Sequence, residues 1–263
     1  MSTVGLALRQ VGFENRSFWR NPPAAFFTFV FPLMFLVIFN LIFGGDDIPI
    51  GEGRTISGST FYVPAIAAFS VITACYTNIA ISVATARDLG ILKRVRGTPL
   101  PSWSYLLGRV IHASAMALLL VAIVTLAGAV FYGVDAPSGE MPLFVLTIVV
   151  GAAAFSALGL AVTALIPTAQ AAPAVVNASI LPLLFISNVF IPANQAPEWL
   201  VTFSKVFPVR HYADAMTASF VTDDLGGVGR DFVFDWVSLL VVAAWGVAGL
   251  LLANRFFSWE PRR

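Results

Sequence analysis

From Thr55 to Ala86 the chain carries no charged side chain. A soluble domain, in which about a quarter of residues are charged, does not sustain such a run. It exceeds the roughly 20 residues that cross a bilayer as a helix. It stops abruptly at Arg87, and four of the fifteen Lys and Arg residues fall between 87 and 96. A cationic knot between apolar stretches has to sit in water. The chain as a whole is 58% hydrophobic and 11% charged, the composition of an integral membrane protein.

The same reading predicts six transmembrane helices, at 24–43, 61–86, 109–132, 142–166, 172–191 and 235–255. The expected fold class is an all-α membrane protein, with 1–263 forming one transmembrane domain. The second span is longer than a membrane needs and should project past the headgroups. Pro32 should kink the first. Within segment 1–23, residues 3–20 place Val4, Leu8, Val11, Phe18 and Trp19 roughly on one helical face. That predicts an amphipathic helix at the interface; a plain juxtamembrane tail is the alternative. Between spans five and six, 192–234 contain Pro192, Pro197 and Pro208. Helical spacing on either side of Pro208 predicts two short amphipathic helices on, or dipping into, the outer leaflet.

Six spans put both termini on one side, and charge chooses the side. The segments 1–23, 87–109, 167–171 and 255–263 hold eleven Lys and Arg and three acids; the opposite loops hold four bases and eleven acids. Cytoplasmic loops carry the excess of Lys and Arg, so the termini and the 87–109 loop are expected in the cytoplasm. No short apolar core precedes a small-residue cleavage site, so a removable leader is not expected. Cys75, the single cysteine, allows no intrachain disulfide.

Several chemistries are missing. A phosphate-binding loop needs Gly-Lys-Ser/Thr, so that backbone N–H groups and one Lys cradle the phosphates. The two lysines, Lys93 and Lys205, follow Leu92 and Ser204. The chain therefore has no ATP-binding loop, and an ATP-driven version of it would need a separate ATPase. The two histidines, His112 and His211, fall on opposite sides of the expected membrane, so no metal site is expected. The spans hold no Asp, Glu, Lys or Arg at mid-depth, the groups an ion-coupled transporter ordinarily uses. Their polar side chains are uncharged, Asn78 and Asn177 among them; each is either a helix–helix hydrogen bond or part of a substrate path.

The basic cluster reads Arg87-Asp88-Leu89-Gly90-Ile91-Leu92-Lys93-Arg94-Val95-Arg96-Gly97-Thr98-Pro99. Leu89, Leu92 and Val95 share one face of a short helix that Gly97-Thr98-Pro99 stops. Two readings fit. One is an anchor on anionic lipid; the other is a docking element whose apolar ridge fits a partner's groove.

The stretch RDLGILKRVRGTPLPSWSYLLGR, 87–109, resembles the cytoplasmic loop of ABC-2 type permeases. Their usual form is approximately R-E-x-G-T-L-K-R-L-R-A-T-P-L-P. Asp88 stands where Glu is usual, Ile91 for Thr and Gly97 for Ala. A second likeness covers 186–208, with Phe190-x-Pro192, Pro197-x-Trp199-Leu200 and Pro208. The family often has an Arg a little further on; Ala218-Ser219-Phe220 stands there, and no role is carried over to it. The six spans and flanking helices agree, so the likeness covers nearly the whole chain.

The resemblance implies the membrane subunit of a bacterial ABC exporter, multi-pass in the plasma membrane. Two permease subunits, identical or paralogous, would sit over two ABC ATPase subunits that bind ATP and Mg; this chain would bind no cofactor. Residues 87–99, within the 87–100 loop, would be the coupling helix in a cleft of the ATPase, and 3–20 the connecting helix beside it. Substrate would move along the dimer interface between spans one, two and five. The candidate lining residues are Phe69, Thr73 and Asn78 on span two and Asn177, Leu181, Phe185 and Asn188 on span five. A lipophilic or amphipathic cargo, drug or lipid, suits apolar spans; a lipid-linked polysaccharide exporter or an ion-coupled transporter are the alternatives. Membrane lipids complete the expected partners, with no nucleic acid among them.

Overall fold

A computed structural model describes residues 3–51, 54–98, 101–137, 141–220 and 235–260. The protein is built around the predicted second span. Helix α3 (Gly58–Ile72), a π turn at Thr73–Thr77 and α4 (Asn78–Asp88) form one continuous helix of 31 residues. At 1.5 Å per residue it is about 46 Å long, well beyond a hydrocarbon core of about 30 Å, as its length in sequence predicts. Its first turn is capped by Ser57, whose Oγ accepts from Thr60 N. In the π turn the Asn78 N–H reaches the Thr73 carbonyl five residues back. Such single turns often mark functional positions.

Helix α1 (Thr3–Trp19) and α2 (Pro22–Phe43) precede it. Ala7 of α1 is buried, with Gln10, Val11, Glu14 and Phe18 half-buried. These residues pack on α6 (Ser102–Tyr132): a Cβ on Gly108 would fall 2.6 Å from Gln10, Glu14 pairs with Arg109 at 3.0 Å and Phe18 meets His112 edge-on. Leu8 and Trp19, read with Val11 and Phe18 as one apolar face, lie off this packed side and are exposed. α2 runs unbroken through Pro32. The loop expected at 44–60 contains an antiparallel hairpin, β1 (Asp47–Gly51) and β2 (Arg54–Ser57). Ile48 and Ile56 of the hairpin are buried against Phe61 and Tyr62. Gly58 allows the join, since a Cβ there would lie 1.8 Å from the Phe43 carbonyl oxygen.

The third span starts earlier than expected. Helix α6 begins at Ser102 rather than 109, because nothing after Pro101 breaks it and Tyr105 and Gly108 are needed against the bundle. α7 (Met141–Val162) is prolonged to Ile166 by consecutive i→i+3 bonds, the tight closing turn common at helix ends. The fifth span is shorter than predicted: α8 is Ala172–Ile186, 15 residues, and does not continue to 191. Ser187 leaves helical geometry, and Asn188 takes φ 62°, a left-handed conformation asparagine tolerates better than most residues. Asn188 Oδ1 accepts from Ala193 N and its Nδ2 donates to Asp214, so the chain turns back. Among the described residues five helices are long and apolar enough to cross a membrane, and α8 is a shorter apolar sixth.

The chain does break at Pro208 into α9 (Glu198–Ser204) and α10 (Pro208–Ala218). α9 exposes Trp199 and Phe203. Of the two expected placements, on the outer leaflet or dipping into it, α10 does not take the first: Val209, Tyr212, Ala213 and Met216 are fully buried among α3, α7 and α11 (Trp236–Phe256). Gly151 leaves room for the Tyr212 ring. The rest of the expected external segment, 221–234, lies outside the described residues. α7 and α11 pack closely, with Gly246 on Ala154 and Gly249 on Leu158, the small-residue contact that lets helices approach within a membrane.

Candidate functional site

The basic cluster is two helices rather than one. α4 runs through Asp88, and Gly90 at φ 68° turns the chain into α5 (Ile91–Arg96). Glycine is the residue that takes this left-handed conformation without a side-chain clash. The bend is fastened by Arg94, which donates to the carbonyls of Leu89 (3.1 Å) and Gly90 (3.4 Å). Thr98 Oγ1 donates to the Val95 carbonyl at the far end.

The bend divides the cluster by direction. Leu92, expected on an outward ridge, is fully buried, and Ile91 and Val95 pack half-buried beside it. Lys93, Arg94 and Arg96 are exposed, as are Gly97 and Thr98; Leu89 is 62% exposed. Pro99 lies outside the described residues. Arg87 points the other way and is 1% exposed. Its Nη1 donates to the Thr163 carbonyl at 2.9 Å and its Nη2 to that of Ile166. Asp88 Oδ2 accepts from Ala169 N at 2.6 Å. Arg87 and Asp88 therefore hold the turn after α7, while the outward surface of the cluster consists of Leu89, Lys93, Arg94 and Arg96.

The expected path residues separate as well. Phe69 is buried and lies against Phe31 and Phe35 of α2. Phe69 and Phe185 each meet Phe190, at 5.3 and 5.2 Å between ring centroids. Phe190 also stacks on Phe35 and Phe39, so an aromatic cluster joins α2, α3 and the end of α8. Thr73 back-bonds to the Phe69 and Ser70 carbonyls at the entrance to the π turn, and Asn78 is half-buried just after it. Asn177, Leu181 and Phe185 recur every four residues and are all exposed, forming one open stripe along α8. Asn188 is the turn residue described above and is not on that stripe.

Three groups were not singled out by sequence. Tyr76 Oη and Ser179 Oγ bond at 2.7 Å, tying the π turn to the middle of α8. Phe190 centres the aromatic cluster, and Arg210 Nε pairs with Asp214 at 2.6 Å next to Asn188. A tyrosine inside an apolar run is the usable signal for the first, because a buried phenol ordinarily finds a partner. The histidines lie apart: His112 packs on Phe18, and His211 contacts the Lys205 carbonyl and Ser238. Among the described residues no group of three His, Cys, Asp or Glu could hold a metal ion.

The outward basic helix is thus fixed to the foot of a long buried helix, within a bundle of helices long and apolar enough to cross a membrane. The sequence model of the ABC-2 type transporter family matches residues 11–221, and the chain belongs to that family. It is 26% identical over 197 residues to the probable multidrug ABC transporter permease YbhR of Escherichia coli strain K12, covering 74% of this chain and 52% of the relative. It is 29% identical over 194 residues to the probable doxorubicin resistance ABC transporter permease protein DrrC of Mycobacterium tuberculosis, covering 71% and 66%. A putative transport permease, ycf38 of Cyanophora paradoxa, is 27% identical over 185 residues, covering 68% and 62%. The chain thus spans about half the length of the first of these relatives.

Proposed function

We propose that this chain is the membrane-spanning subunit of an ATP-driven exporter, and that a separate ABC ATPase docks on the outward face of 87–99. The observation that carries the reading is α5. It presents Lys93, Arg94 and Arg96 beside an exposed Leu89, on a helix whose inner side is seated by Leu92. A charged rim around an apolar contact on a rigid short helix is suited to a partner's groove. In this reading 1–263 is one transmembrane domain, its basic end faces the cytoplasm, and the ATPase binds the ATP and Mg.

The second proposed partner is another permease subunit, identical or paralogous. Only 17% of the α2 span window is buried within the chain, and the Asn177–Leu181–Phe185 stripe of α8 is also open. Two such faces brought together would enclose an apolar path with uncharged polar spots. That suits a lipophilic or amphipathic cargo moving out of the cytoplasm or the inner leaflet, and the relatives' names, multidrug and doxorubicin resistance, point the same way.

Co-expression with ABC ATPases from the same genome tests the docking. The wild-type chain should co-purify one ATPase stoichiometrically. Leu89→Ala combined with Lys93→Glu and Arg96→Glu should lose it while the protein still inserts and keeps its helicity. Undiminished capture by that variant would overturn the docking assignment.

A further inference from the structure

Arg87 belongs to the basic cluster by sequence and to the interior by structure. A cation near a membrane boundary ordinarily turns to water or to lipid phosphate. This one is 1% exposed and spends its guanidinium on the carbonyls of Thr163 and Ile166. The Thr163 carbonyl also accepts from Ile166 N in the tight turn that ends α7, and the Ile166 carbonyl lies at the end of that turn. A helix end leaves carbonyls without intrahelical partners, and its partial negative charge favours a cation there. One residue later the polarity reverses. Asp88 takes a backbone N–H, that of Ala169, at the foot of α8. Two consecutive side chains of opposite charge thus grip one turn by its acceptors and by a donor.

The grip is continuous with the outward helix. Arg94 fastens α5 to the Leu89 and Gly90 carbonyls in the bend that directly follows α4, and Tyr76–Ser179 ties the π turn of the same long helix to α8 further along. α8 carries the open stripe assigned above to the substrate path. We propose that Arg87 and Asp88 are positioning residues that make α5 and the 163–171 turn one rigid body. A displacement of α5 is then delivered directly to the foot of α8. The guanidinium fork suits this task, since its planar donors reach two carbonyls at once where an ammonium is a single point charge. The inference rests on the reading that an ATPase docks on α5.

The test uses the complete complex of the chain with its ATPase in proteoliposomes. Arg87→Met/Asp88→Asn should still capture the ATPase stoichiometrically, because neither side chain is on the outward face. Permease-stimulated ATP hydrolysis should fall about tenfold or more, the scale of a coupling free energy. Arg87→Lys should recover part of it. Hydrogen exchange adds a readout that a merely structural role would not move. A non-hydrolysable ATP analogue should change exchange across 163–171 in the wild-type complex and leave it unchanged in the double variant, with the ATPase still bound. If the double variant retains the stimulation and the nucleotide-dependent exchange change, the clasp transmits nothing and this inference alone falls. If the wild-type chain captures no ATPase, the docking reading falls and takes the inference with it.

Discussion

Helix α2 and the α3–α4 helix rank in opposite order by hydropathy and by burial. α2 has a mean hydropathy of 2.5 with 17% of its span window buried; the α3–α4 helix has 1.7 with 72% buried. In water the more apolar helix would be the inner one. Lipid tails are as apolar as leucine, so nothing drives α2 inward, and association follows close packing and polar contacts instead. The inner helix is accordingly rich in Ala, Ser, Thr and Tyr, with Ala65, Ala67, Ala68 and Ser70 fully buried. The outer one carries Phe26, Phe27, Leu41 and Ile42 exposed. In this chain hydropathy locates the helices, and small and polar residues tell which of them is central.

Substitutions can break that comparison, and the largest effect belongs to the inner helix. Phe69→Ala should cost about 3–5 kcal/mol, read from denaturant unfolding in detergent followed by loss of helicity. A cost no larger than that of an exposed α2 substitution would show that the burial of α3 contributes little. Next is Tyr76→Phe, which removes one hydrogen bond and should cost about 0.5–1.5 kcal/mol. A double-mutant cycle with Ser179→Ala should find a coupling of similar size, and a cycle that closes at zero would dissolve the tie between the π turn and α8. The smallest expected change is Leu41→Ala on α2, within about 0.5 kcal/mol for the isolated chain. The same substitution sharpens the picture if a second subunit covers that face, because chemical cross-linking between chains should then decline while monomer stability holds.

Much of the fold was legible in the sequence. Absence of charge placed the long helices, and the overlong second span follows from the distance between Arg54 and Arg87; the caps Ser57 and Asp235, which start α3 and α11, are not part of that reading. The misplacements have physical causes. α8 was read to 191 because Val189, Phe190 and Ile191 are apolar, yet Val189 and Phe190 are buried in a turn. Hydropathy measures transfer and is blind to the backbone conformation that Asn188 takes. The expected start of the third span at 109 leaves out the first turns of α6, where Arg109 is carried inside the bundle by its pair with Glu14 of α1. The candidate site was half legible. Composition exposed the basic cluster, but no one-dimensional pattern separates Arg94, which fastens a bend, from Arg87, whose partners lie 76 and 79 residues away. Leu92 fell on the expected ridge only while the cluster was read as one helix; the bend at Gly90 turned it inward.

The π turn at Thr73–Thr77 bears on how this protein compares with its relatives. A π turn fits five residues where an α turn fits four, so the segment stores one residue without disturbing the helix beyond it. Gly159 accommodates the bulge, lying where a Cβ would come within 2.8 Å of the Tyr76 carbonyl oxygen. Deleting a single residue inside 73–77 should therefore leave Arg87 facing Thr163 and Ile166. Deleting one elsewhere in α3 or α4 would rotate everything after it by about 100° and aim Arg87 away from its turn. A one-residue gap in a relative should therefore be tolerated at this place and disabling a few residues to either side. Along the 31 residues of this helix, the π turn is where a change of length should disturb the Arg87 contacts least.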